Sequence, residues 1–297
     1  MRTAFWEGVL ASDMAVPDDQ PLNDLTAELV SMLGSADPFE RDAVAYPVLA
    51  TWVEHGVYDD LLMTFGQGIT AGFTAGLGHS GDDSVFRRTF SALVLGECIS
   101  RDNVAHLLTV DTVLRWADAG VTWLVHEQDL RPFVEGKGWA HAPAHGSDLL
   151  AALARSRHFR PTELAVLLDV VADRVTAPTE VWFTHGEDDR LAYAVMTVLH
   201  RNVLAQDLLD GWVARLAETA LTQPGPGHGP DRPWPPASVH NTRSLLRVLY
   251  LQLALGVRGY GESDAAFYAG HPDVRADLLL TLNDVLAKLL PYANRPE

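Results

Sequence analysis

Apolar residues recur along this chain every three to four positions. Leu22, Leu25, Leu29, Val30 and Leu33 make one such stripe, which stops at Gly34. Before it, residues 3–12 predict a short helix with Phe5, Trp6 and Leu10 turned inward. Asp37-Pro-Phe-Glu40 reads as a helix start, with Asp37 as cap, Pro38 in the first turn and Glu40 reaching back. Pro47 falls inside the helix so begun and removes a backbone donor, which predicts a kink or split. Residues 58–75 keep a helical pattern despite Gly66, Gly68 and Gly72. Each glycine costs about 1 kcal/mol relative to alanine in a helix, so close contact between helices is expected to compensate.

Asp82 or Asp83 caps the next helix, which carries Phe86, Phe90, Leu93, Leu95 and Ile99. A further helix spans Val110 to His126. An irregular segment from Glu127 to Gly138 then leads into a helix over residues 143–156. Helices are also predicted from Pro161 to Val175, after a cap at Asp188 or Asp189, and over residues 205–220, 238–256 and 272–291. The proline- and glycine-rich stretch at 222–237 predicts a surface loop.

No segment alternates with period two, and no Asn-Gly or Asp-Gly turn joins apolar runs. The pattern predicts an all-α protein, with residues 1–297 as a single domain. Helix pairs recur about every 35 to 45 residues, the scale of α-solenoid repeats. A HEAT-like α-solenoid or compact multi-helix array is expected, with an orthogonal helical bundle as the alternative.

Composition narrows the function classes. The formal net charge is −17, which opposes nucleic acid and anionic membrane surfaces, since both require basic patches. No run approaches the roughly 20 apolar residues of a membrane span. The first residues lack the unbroken apolar core of a secretory leader. The single cysteine, Cys98, permits no internal disulfide and sits in an apolar helical run, where it is expected to be buried and unreactive. These features predict a cytoplasmic protein.

Candidate chemistry concentrates in Lys137-Gly-Trp-Ala-His-Ala-Pro-Ala-His-Gly-Ser-Asp148. On a continuous helix His141, His145 and Asp148 would share one face. They could then hold a divalent metal, with Glu127 or Asp129 as a fourth ligand. Pro143 fits best in the first helical turn, however, which places His141 ahead of the helix. Without a metal, His145 oriented by Asp148 suits general base chemistry, with His141 or Lys137 stabilising charge. A purely structural polar network containing the same residues is the competing expectation. Arg87 and Arg88 lie in an apolar helix, so one is expected to turn inward onto a carboxylate among Glu40, Asp42, Glu127 and Asp129. His126, His200 and His240 lie on apolar helical faces and are expected at the core or its boundary.

Several motifs together resemble a bacterial family known as domain-of-unknown-function family 2785. They are Glu40-Arg-Asp-Ala-Val-Ala-Tyr46, Trp52, Val85-Phe-Arg-Arg-Thr-Phe-Ser91, Glu127-Gln-Asp-Leu-Arg131, Lys137 to His145 with Asp148-Leu-Leu150, and Glu187-Asp-Asp-Arg-Leu-Ala192. The resemblance spans residues 20–200, and the chain departs from it at Pro132 and Ser147. It carries no activity. It implies a site near His141, His145 and Asp148 assembled from several helices, with Trp139, Glu127, Asp129, Arg131, Arg88, Asp189 and Arg190 as binding residues. Two functions follow as expectations: a hydrolase-like enzyme acting on a small molecule, or a helical-repeat module that binds a basic protein or peptide.

Overall fold

The computed structural model describes residues 2–224, 234–259 and 262–290. Most of the expected loop at 222–237 lies outside them. The protein is all-α, a compact multi-helix array whose helices group into two units, Met1–His158 and Phe159–Glu297. Each unit has its own core.

In the first unit, α1 (Thr3–Ala11) and α2 (Leu22–Met32) lead into a π-helical turn, Phe39–Ala45, that continues as α3 (Tyr46–Glu54). Pro47 sits in the first turn of α3, where its missing N–H is harmless, so the helix splits at this proline. The Asp37 carboxylate accepts the Phe39 N–H at 2.9 Å, whereas Glu40 accepts the Ser35 hydroxyl at 2.7 Å rather than closing a capping box. α4 (Leu62–Thr70) precedes the long α5 (Ser84–Ala105), and α6 (Val110–His126) follows. Asp82, not Asp83, accepts the Ser84 N–H at the start of α5, at 2.9 Å.

A two-stranded antiparallel hairpin separates α6 from α7 (Ala142–Ala154), pairing β1 (Phe133–Val134) with β2 (Gly138–Trp139). These strands are too short to leave a period-two signature. Gly138 has φ +84°, and a Cβ there would lie 2.8 Å from the Asp42 carboxylate and 2.9 Å from the Arg41 guanidinium. Only glycine satisfies both the turn and that approach. α5 and α7 run parallel: Phe90 meets His145, Gly96 faces Leu149, and the Asn103 amide donates to the Ala152 carbonyl at 2.9 Å.

The glycines of α4 divide by environment. A Cβ at Gly66 would lie 2.2 Å from the Trp116 ring, whereas one at Gly68 would meet nothing within 4 Å. Gly66→Ala should therefore overpack the contact with α6 and lower stability by about 1–3 kcal/mol. Gly68→Ala should raise it by about 0.5–1 kcal/mol. Urea unfolding of the two variants checks this, and equal effects would contradict the packing described.

In the second unit, α8 (Pro161–Thr176), α9 (Glu187–Leu199), α10 (Gln206–Ala220) and α11 (Ala237–Leu255) precede a short α12 (Glu262–Ala265) and then α13 (Arg275–Leu289). The Trp212 indole donates to the Leu168 carbonyl at 2.7 Å, and Leu245, Leu246 and Leu249 fill the centre. Of the histidines expected in or beside the core, His200 and His240 are half-buried. His126 is exposed, because it ends α6 and its ring bonds the Thr122 carbonyl of its own helix.

Candidate functional site

The site region begins with a fully buried ion pair. Arg88 on α5 donates through Nε and Nη2 to Glu127, at 2.6 and 2.8 Å, and neither side chain is exposed. The remaining valences are filled as well. Arg88 Nη1 donates to the carbonyls of Ala75 and Gly76 and to the Ser84 hydroxyl, while Glu127 accepts the Trp123 indole and the Asp129 N–H. Asp129 accepts the Gly81 N–H at 2.9 Å and both arms of Arg131, at 2.8 and 2.6 Å. This network fastens the loop before α5 to the chain leaving α6. Such saturation is what a buried ion pair needs to offset desolvation.

A second buried arginine anchors the hairpin. Arg41, on the π-helical turn, pairs with Asp42, donates to the Lys137 carbonyl, and lies over the Phe86 and Phe90 rings. Asp42 in turn accepts the Trp139 N–H. Lys137 projects its ammonium outward and holds Asp83 at 2.6 and 2.8 Å, both partners being partly exposed.

Beyond the hairpin lies a cluster of rings. Trp139, 39% exposed, stacks on His141 with centroids 4.9 Å apart. His141 meets His145 at 5.8 Å, and His145 meets Phe90 edge-on at 5.1 Å. The two histidines are 8% and 7% exposed. His141 adopts a left-handed conformation, φ 50° and ψ 40°, one residue before α7. The geometry costs a non-glycine residue about 1–3 kcal/mol. Hydrogen bonds from its N–H to the carbonyls of Arg131 and Pro132 hold it, at 3.0 and 3.2 Å. His141 thus leaves the helical face that His145 and Asp148 share. Among the described residues no group of three His, Cys, Asp or Glu side chains is arranged to hold a metal ion.

Two residues of this region escaped sequence reasoning. Tyr46 on α3 donates its hydroxyl to Glu97 on α5 at 2.8 Å. Burial pushes the Glu97 carboxyl above its ordinary value of 4.5, and the charges of Asp148 and Glu54 push the same way, against the Tyr46 hydrogen bond. A lone acid inside the run Ala92-Leu-Val-Leu-Gly-Glu-Cys-Ile99 was the available signal. Its neighbour Cys98 is wholly buried, which pushes its thiol far above the ordinary range and leaves it inert.

Asp189 and Arg190 belong to the second unit, in the first turn of α9. Glu187 there is buried and accepts the His185 N–H at 2.8 Å, and Asp188 accepts the Ser244 hydroxyl. Asp189 is raised by partial burial and by the charge of Asp188. These acids surround a helix N-terminus, where carboxylates complement the helix dipole.

Two cavities of about 690 Å³ open on the first unit. Glu28, Ser31, Met32, Gly34, Ser35, Glu40 and Arg87 line one. Gln67, Thr70, Asp111, Trp116 and Asp118 line part of the other. The histidine cluster lies outside both.

Fold and site together define an all-helical protein whose hairpin and ring cluster are held by buried arginine–carboxylate pairs. The chain belongs to the family described as protein of unknown function (DUF2785), which matches residues 73–251. That range includes Arg88, Glu127, the hairpin, α7 and the start of α9, while Arg41 and Tyr46 precede it. No curated protein and no solved structure matches the chain significantly. No helix among the described residues is long and apolar enough to cross a membrane.

Proposed function

We propose that this is a cytoplasmic, bacterial small-molecule enzyme of hydrolase type, built on HEAT-like helix pairs, with His145 as general base and Glu97 as general acid. The observation that carries the reading is the raised carboxyl of Glu97 beside Asp148, on the α5–α7 contact that also bears His145. Acid–base catalysis pairs a proton donor with a proton acceptor, and the burial that raises Glu97 favours its proton-bearing form. Lys137 and the half-exposed Trp139 form the outer edge of this region, and the strained backbone of His141 supports the assignment.

In the reaction His145 takes a proton from water as the water oxygen bonds to the acyl carbon or phosphorus. Glu97 gives its proton to the leaving atom as the old bond breaks. Proton return from His145 to Glu97 then restores both groups, leaving an acid and a protonated leaving group. Arg88, Glu127, Asp129 and Arg131 act as positioning residues, since they bond one another and the backbone. The test is a panel of p-nitrophenyl esters, anilides and phosphoesters incubated with the protein and with His145→Gln. Turnover of one class by the native protein, lost in the variant, is the expected result. Turnover unaffected by the substitution, or none across the panel, would sink the assignment.

A further inference from the structure

The cavity between α2, the π-helical turn and α5 lies apart from the histidine cluster and holds an unusual charge arrangement. Arg87 on one wall is half-buried. Its Nη1 donates to the Val30 carbonyl, and among the described residues no carboxylate pairs with it. Burial alone pulls its pKa down, with no acid opposing the shift. Glu40 on another wall accepts the Ser35 hydroxyl at 2.7 Å, and among the described residues no cation pairs with it. The remaining acid, Glu28, is already satisfied by Arg2 and by the Trp6 indole. One cation and one anion therefore line the same space without meeting.

The Arg87 side chain is also held in place. A Cβ at Gly34 would lie 3.3 Å from the Arg87 Cβ, and one at Gly72 would lie 3.0 Å from its Nε. Two bare backbone positions thus form a sleeve around the arginine stem. A half-buried guanidinium without a counter-ion loses hydration with nothing in return, and a ligand carboxylate can occupy its fork through two parallel hydrogen bonds. Glu40 supplies the complementary acceptor for an ammonium group. Ser31 and Ser35 add hydroxyls, and Met32 adds apolar surface.

We infer that this cavity binds a small zwitterion of the amino-acid class, its carboxylate on Arg87 and its ammonium on Glu40. A volume of about 690 Å³ accommodates such a molecule.

The test is isothermal titration of the full chain with glycine, L-alanine, L-leucine, L-glutamate and L-lysine. The N-acetyl and carboxamide forms of any binder then follow. At least one amino acid should bind with a Kd below about 1 mM, corresponding to about −4 kcal/mol. Removing either of its charges should weaken binding about tenfold or more. Arg87→Met and Glu40→Gln should each do the same, whereas His145→Gln should leave binding unchanged, which separates this site from the proposed catalytic one. Far-ultraviolet circular dichroism and urea unfolding establish that the variants are folded, and Arg87→Lys should keep part of the affinity should Arg87→Met fail to fold. No binding by any member of the panel, equal binding of the N-acetyl forms, or unchanged affinity in the Arg87 variants would overturn the inference.

Discussion

Glu127→Ala should be among the most destabilising single substitutions in this protein, lowering the unfolding free energy of the first unit by about 3–5 kcal/mol. The alanine leaves the Arg88 guanidinium fully buried with its main counter-charge gone. It also strips the Trp123 indole and the Asp129 N–H of their acceptor. The cost is mostly that of stranded charge and unmet donors, not of the attraction itself. Replacing both partners by apolar residues of similar length, Arg88→Met with Glu127→Leu, should recover part of the loss, because the stranded guanidinium is gone while the Trp123 and Asp129 donors stay unmet. Urea unfolding of the two variants decides the point. A loss below about 1 kcal/mol for Glu127→Ala is the range of a surface pair and would contradict the saturated burial of this network.

The second large effect is kinetic. On whichever ester, anilide or phosphoester class is turned over, His145→Gln should reduce kcat by about 100-fold or more, the usual contribution of a positioned general base. Glutamine keeps a polar group and much of the side-chain length against Phe90, so the melting temperature should move little. Glu97→Gln should reduce kcat comparably, because the amide keeps the Tyr46 hydrogen bond but has no acidic proton to give. A structural role for His145 predicts the opposite pattern, a large loss of stability with kcat per folded molecule unchanged. The proton-transfer role also requires the pH–rate profile to lose the limb that belongs to each replaced group.

Much of this molecule was legible in its sequence because the relevant signals are local. Helical periodicity located α5, α6 and α7 to within a few residues, and Pro47 marked the split between the π-helical turn and α3. Pro143 placed His141 outside α7, where it is found. The inward turn of Arg88 onto Glu127 followed from charge in an apolar helix. What escaped depends on tertiary placement. Tyr46 and Glu97 are 51 residues apart and meet only because α3 packs on α5. Each alone resembles an ordinary helical residue. The hairpin escaped because two-residue strands have no period, although the glycines at 136 and 138 with positive φ carry its turn. The reach of Arg41 to Lys137 across 96 residues of sequence has no local trace either.

Glu97 offers the most direct access to the acid–base assignment, since its titration needs no substrate. Its carboxyl is raised above 4.5 in the folded chain by burial and by Asp148 and Glu54. A raised acid stabilises the fold fully below its unfolded value, and that contribution fades as pH rises through the folded value. Glu97→Gln should therefore gain relative stability on the alkaline side of that interval. The decisive measurement is the carboxyl carbon shift of Glu97, followed by nuclear magnetic resonance across pH in the native protein and in Asp148→Asn. The expected midpoint lies above 4.5 and falls when the Asp148 charge is removed. A midpoint at or below 4.5, unmoved by Asp148→Asn, would contradict Glu97 as the proton donor.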